Sequence, residues 1–133
     1  MDKPIILTVD DDPQVLRSIA RDLRQKYGDE YSVLRADSGR QALETLDQLA
    51  DAANPVALLL SDQRMPEMDG VTFLKMLRRS TLWKDMPVIV LTGVNDDDKL
   101  ITRAWELKVN DLIPKASFGF DDLLARVKQH LRN

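Results

Sequence analysis

Apolar positions along the chain follow two rhythms. Short unbroken runs, such as IILTV at residues 5–9, VALLL at 56–60 and VIVL at 88–91, stand between longer stretches in which apolar residues recur every third or fourth position. The runs, rich in β-branched side chains, read as strands covered on both faces, and the 3.6-residue rhythm reads as amphipathic helix. The first run stops at DDDP, where Asp12 is placed to cap a helix with Pro13 in its first turn. Leu16, Ile19, Ala20, Leu23 and Tyr27 follow at helical spacing, with Gly28 as a left-handed stop. YSVLRA (31–36) reads as a second strand, and Ser38 caps a helix through Ala42, Leu43, Leu46 and Leu49.

The alternation continues after the central run. A helix beyond Gly70 carries Phe73, Leu74 and Leu77, and MPVIVLTG (86–93) is a fourth strand. The next helix opens on acids and places Leu100, Ile101, Ala104, Trp105 and Leu107 on a broad apolar stripe. DLIPK (111–115) is a short fifth strand, and a last helix, capped by Asp121, buries Leu123, Leu124, Val127 and Leu131. Continuously apolar strands alternating with helices require parallel pairing, because each crossover packs back over the sheet. The expectation is α/β: a doubly wound five-stranded parallel sheet with five helices, one domain over residues 1–133. In such a sheet, ligands sit beyond the carboxyl ends of the strands.

Composition narrows what those strand ends can do. A content of 44% hydrophobic and 31% charged residues is globular, and a net charge of −3 gives no reason to expect nucleic acid or an anionic membrane as a partner. No apolar run is long enough to span a bilayer, and MDKPIIL lacks the plan of a signal peptide, so the expected location is the cytoplasm. The absence of cysteine excludes disulfides, thiolate catalysis and thiolate zinc sites, and a single histidine, His130, excludes a histidine cluster.

The remaining chemistry is at the strand tips. The first strand ends in Asp10, Asp11 and Asp12, the third in Asp62, the fourth in Thr92 and the fifth in Lys115. Carboxylates gathered at one edge repel each other and raise each other's pKa unless a cation joins them, and an all-oxygen site suits Mg²⁺. A carboxylate is also a nucleophile toward phosphorus, and phosphoryl transfer depends on neutralising the oxygens of the transferred group. Mg²⁺ on Asp11 and Asp62, the Lys115 ammonium and the Thr92 hydroxyl would each take one oxygen, with Asp62 as acceptor. The loop QRMPEMDG that follows is expected to stay extended before Pro66 and turn at Gly70.

ILTVDDDP, LLLSDQRMPEMDG, PVIVLTG and DLIPK, in that order, resemble the receiver domain of two-component response regulators, and the likeness runs from about Ile5 to Leu131. The resemblance implies a flavodoxin-like strand order 2-1-3-4-5, as in chemotaxis receivers. It implies Asp10 and Asp11 as the acidic pair, Asp62 as phosphoacceptor, Thr92 as switch hydroxyl and Lys115 as the family lysine. The Arg64 backbone carbonyl would complete the Mg²⁺ ligands. Implied partners are a sensor histidine kinase or phosphotransfer protein and a downstream effector domain or protein, with a phosphorylation-dependent homodimer. Such a domain catalyses its own phosphorylation and dephosphorylation and turns over no external substrate.

The chain also departs from the family pattern. Leu112 replaces the usual switch aromatic, Lys108 a helix-stop glycine and Ala116 the proline after the lysine, with Pro114 ahead of it instead. A trans Lys115-Ala116 bond is expected, and Pro114 suits an edge strand. Two alternatives stand beside this reading. Asp10-x-Asp12 after a first strand also fits a haloacid-dehalogenase-like phosphatase, although Pro13 stands where that family has Gly-Thr. A phosphorylation-independent pseudo-receiver fits if Leu112 and Lys115 disable the switch. Elsewhere, Asp96 to Asp98 read as a solvated helix start, Trp83 as helix-end packing and His130 as a helix-end group. Trp105 is open between a buried ring and an interface residue.

Overall fold

The computed structural model describes residues 3–93, 98–115 and 119–131. In chain order the elements are β1 (Ile5–Val9), α1 (Pro13–Tyr27), β2 (Ser32–Ala36), α2 (Gly39–Asp51), β3 (Val56–Asp62), α3 (Gly70–Arg79), β4 (Val88–Thr92), α4 (Asp98–Glu106), β5 (Asp111–Pro114) and α5 (Phe120–Leu131). All strand pairs are parallel and the sheet order is β2-β1-β3-β4-β5. β5 is an edge strand, which accommodates Pro114 because a proline has no N–H to give a further neighbour. No helix among the described residues is long and apolar enough to cross a membrane.

Alternation along each strand builds two apolar layers. Ile5, Leu7 and Val9 of β1, Leu59 of β3, and Val88 and Val90 of β4 face Leu46, Phe73, Leu74, Leu77 and Ala104 of α2, α3 and α4. Ile6, Leu58, Leu60, Ile89 and Leu91 face the other way, onto Ile19 and Leu23 of α1 and Leu123 and Val127 of α5. Each such side chain contributes about 1.5–3 kcal/mol when taken fully from water. Leu59 has no exposed surface, so Leu59→Ala would cost about 2–5 kcal/mol.

The expected helix starts hold where short polar side chains precede them. Asp12 accepts from the N–H groups of Gln14 (2.9 Å) and Val15 (3.4 Å), Ser38 from that of Gln41 (3.0 Å), and Asp69 from that of Thr72 (2.8 Å). α5 differs: it begins at Phe120, so Asp121 lies inside the first turn and is not the cap. Gly28 also differs, with a right-handed φ of −62°. A Cβ there would come within 2.4 Å of the Arg24 carbonyl oxygen, so close approach accounts for the glycine. The turn expected at Gly70 is instead made at Glu67, whose φ is +70°. Gly70 is needed because a Cβ would lie 2.7 Å from the Asp62 carbonyl oxygen.

Lys108 does occupy the left-handed stop after α4, with φ +61°. That conformation costs a non-glycine residue about 1–2 kcal/mol. The Arg78 guanidinium offsets it by donating to the carbonyls of Leu107 (3.0 Å), Lys108 (3.0 Å) and Met86 (2.8 Å), which secures the end of α4. Trp83 lies beyond α3 in the following turn, half-buried against the core. The Trp105 ring is exposed, which decides that question against a buried ring. Asp98 opens α4 and is exposed, whereas Asp96, Asp97 and the Lys115-Ala116 bond lie outside the described residues.

Candidate functional site

The sheet brings the predicted carboxylates together because β1 and β3 are neighbours in register. Val9 pairs with Ser61, so the next residues, Asp10 and Asp62, leave adjacent strands at the same level. Both are almost wholly buried. Asp11 is exposed beside them, and one carboxylate oxygen from each of Asp10, Asp11 and Asp62 falls within 4.8 Å of the others. Thr92, also buried, ends β4 one residue beyond the partner of Asp62. From the end of β5, Lys115 reaches across, its Nζ 2.9 Å from Asp62 Oδ1 and 3.3 Å from Asp10 Oδ2.

One ammonium does not neutralise this cluster. Burial pushes the Asp10 carboxyl above its ordinary pKa, and the Asp12 N–H bond (3.0 Å) and the Lys115 charge recover only part of the shift. Burial likewise raises Asp62; Lys115 lowers it and the Asp10 charge raises it again. For Lys115, burial acts downward, but the bonds and charges of Asp62 and Asp10 outweigh it, so its pKa is raised and it stays an ammonium. Two buried acids held up in this way favour the arrival of further positive charge. An all-oxygen, anionic donor set within 4.8 Å fits a hard divalent cation such as Mg²⁺ and offers nothing to a soft one.

The loop after Asp62 is shaped by Gln63, a residue that no sequence motif marks. This buried side chain accepts from the Val71 N–H through Oε1 (2.9 Å), while its backbone carbonyl accepts from Gly70 (2.9 Å). The start of α3 is thereby tied to the residue after Asp62. Arg64 is exposed on this loop. Leu112 is half-buried and lines, with Gln63, Val71, Val90, Thr92, Leu100 and Ile101, a gap too small for a water molecule.

A second ionic group lies at the opposite end of β5. Asp111, its first residue, accepts from Arg126 Nε (2.8 Å) and also from Arg126 Nη2, and its Oδ2 lies 3.1 Å from His130 Nε2. Burial raises the Asp111 carboxyl, but bonds and charge from Arg126 and His130 more than offset that, leaving its pKa lowered. His130 is therefore a partner of β5 as well as a helix-end group. The four-residue spacing of Arg126 and His130 marks one helix face, yet nothing local names Asp111 as their partner.

Comparison with known proteins places this geometry. A family model described as response regulator receiver domain matches residues 6–128. The transcriptional regulatory protein CpxR of Escherichia coli is 37% identical over 128 residues, 96% of this chain and 49% of CpxR. Chemotaxis protein CheY1 of Helicobacter pylori is 35% identical over 109 residues, 82% of this chain and 83% of CheY1. A CheY-like receiver domain from Methanospirillum hungatei superposes with a TM-score of 0.82 at 25% identity, covering 98% of this chain and 94% of the other. The chain spans about half the length of the transcriptional regulators it matches.

Proposed function

The chain belongs to the response regulator receiver family, and from that premise we propose that Asp62 accepts a phosphoryl group from the phosphohistidine of a sensor histidine kinase or phosphotransfer protein. One observation carries the assignment: the Asp62 carboxylate ends the central strand with Lys115 Nζ at 2.9 Å and the carboxylates of Asp10 and Asp11 beside it. The donor's N–P bond breaks as an Asp62 oxygen bonds to phosphorus, and the nitrogen keeps the electron pair. Asp62, buried and incompletely neutralised, presents its oxygen without a full hydration shell. Lys115 pairs with developing charge on one phosphoryl oxygen, and the Thr92 hydroxyl donates to another. Asp10, Asp11, Asp62 and the Arg64 backbone carbonyl would hold Mg²⁺. When bound, that ion neutralises charge on the transferred group.

Receiver domains are regulatory. In this reading the domain, over residues 1–133, promotes phosphate transfer onto and off its own Asp62 in the cytoplasm and turns over no external substrate. Movement of Thr92 toward the phosphoryl group then alters the face of α4, β5 and α5, where the exposed Trp105 lies, for an effector or a second copy. Leu112, with no ring to swing, shifts less than an aromatic in its place. Family membership leaves no role for the phosphatase-type alternative. The experiment is Mg²⁺-dependent labelling with acetyl phosphate followed by peptide mapping. An acyl phosphate on Asp62, absent in Asp62→Asn, is expected; labelling of that variant at the parent rate would sink the assignment, and no labelling of the parent would favour a pseudo-receiver.

A further inference from the structure

The first N–H groups of α3 are answered from the far end of the loop that precedes it. Gly70 donates to the Gln63 carbonyl and Val71 to Gln63 Oε1, both at 2.9 Å, while Thr72 donates to its neighbouring cap Asp69. On its other side the Gln63 N–H donates to the Leu91 carbonyl of β4, also at 2.9 Å. Gln63 thus closes the loop from Asp62 to Gly70 into a ring with little room to spare, since a Cβ on Gly70 would lie 3.0 Å from Gln63 Oε1. A primary amide costs free energy to bury unless it is hydrogen-bonded. Gln63 is 3% exposed and stands among Val71, Val90 and Leu112, where an apolar side chain would pack without that cost. Packing does not account for the amide, and the bond to Val71 does.

We infer that Gln63 is a positioning residue for the cation: its three hydrogen bonds hold the peptide that leads into Arg64, whose backbone carbonyl is a proposed Mg²⁺ ligand. The inference rests on that reading of the site. Arg64 is an exposed residue held between two buried ones, Gln63 on one side and Met65, packed in the core, on the other. A carbonyl ligand is aimed by the path of the backbone and not by a choice of side chain. Mg²⁺ demands near-octahedral geometry at about 2.0–2.1 Å, so a carbonyl on a loop free to move adds little to its binding. Groups that orient a metal ligand are typically worth about 10–100-fold in affinity.

The test is a titration of the whole, isotope-labelled chain with Mg²⁺ alone, followed by the amide resonances around Asp10 and Asp62, and a second titration in which Mg²⁺ supports labelling by acetyl phosphate. Gln63→Met keeps the length of the side chain without its acceptor oxygen, and Gln63→Asn keeps the amide but falls a methylene short of Val71. Each should raise the Mg²⁺ Kd by about tenfold and move the Mg²⁺ midpoint of labelling by as much, with the rate at saturating Mg²⁺ within about twofold of the parent. Gln63→Glu, which keeps an acceptor at the same reach, should bind Mg²⁺ at least as tightly as the parent. Ser38→Ala, which removes the cap of α2, should lower stability and leave the Kd unchanged. Circular dichroism checks that each variant is folded. Parent-like affinity in either folded variant that loses the bond, an equal loss in Gln63→Glu or Ser38→Ala, or a fall confined to the saturating rate overturns the proposal and leaves the cation site standing. No Mg²⁺ response in the parent removes that site and the proposal with it.

Discussion

At the carboxyl end of the sheet two buried aspartates share one ammonium, whereas at the amino end of β5 one buried aspartate holds a guanidinium and an imidazole. The same chemistry, an acid removed from water, has opposite outcomes. Asp10 and Asp62 are held above the ordinary carboxylate pKa because burial outweighs their partner, and Asp111 lies below it because its partners outweigh burial. A deficit of positive charge leaves the Asp10–Asp62 end receptive to a cation, which the proposed phosphoryl transfer would use, while a satisfied carboxylate fastens α5 to β5. A buried acid is thus diagnostic of function only once its partners are counted.

Four measurements break or sharpen that contrast. Mg²⁺ should act at one end alone: at a hundredfold excess over its Kd it should raise unfolding free energy by about 2.7 kcal/mol, and Asp11→Asn should lose most of that gain. An unchanged melting temperature of the parent on Mg²⁺ addition would remove the receptive end of the comparison. Next, Asp111→Asn keeps the shape but strands Arg126 and His130. It should destabilise the protein by about 2 kcal/mol in urea, below the full cost of breaking a buried pair because Arg126 is partly exposed.

The same substitution at the other end should have the opposite sign. Asp62→Asn removes one of the crowded charges, leaves Lys115 with Asp10, and should stabilise the Mg²⁺-free protein by on the order of 1 kcal/mol. Destabilisation by as much as Asp111→Asn would erase the distinction. The smallest effect is on pH. Asp111 has a lowered folded pKa, so its contribution is fully present above the ordinary value of 3.8 and lost as pH falls through the folded value. The stability gap between parent and Asp111→Asn should therefore narrow as pH falls below about 4. A gap that does not shrink between about pH 4 and pH 2 contradicts the lowered pKa.

Most of the fold was legible because it rests on periodicity. Ile5, Leu7 and Val9 alternate with Ile6 between the two layers as an extended strand must, and Asp12 and Ser38 cap the helices they precede. The site was legible for a related reason: parallel strands deliver their last residues to one edge, so Asp10, Asp62 and Lys115 had to meet. What could not be read depends on distances across the fold. Asp111 chooses Arg126 and His130 on a helix that follows it, and Arg78 reaches carbonyls some thirty residues away. Gln63 looks like an ordinary loop residue until its amide is found beneath α3. Gly28 and Gly70 are there for want of a Cβ and not for a left-handed backbone, which falls instead at Glu67 and Lys108, residues whose side chains give no local sign of it.

The crossing of β1 over to β3 also grades protection across the sheet. β1 lies between β2 and β3, and β3 between β1 and β4. The central pair, β1 and β3, is enclosed by strands on both sides and helices on both faces. Its backbone amides are expected to exchange hydrogen only when the whole domain opens, and those of β5, at an edge, through local fraying. A domain built this way can loosen its β5 edge while the strand that ends in Asp62, the proposed acceptor, stays shut.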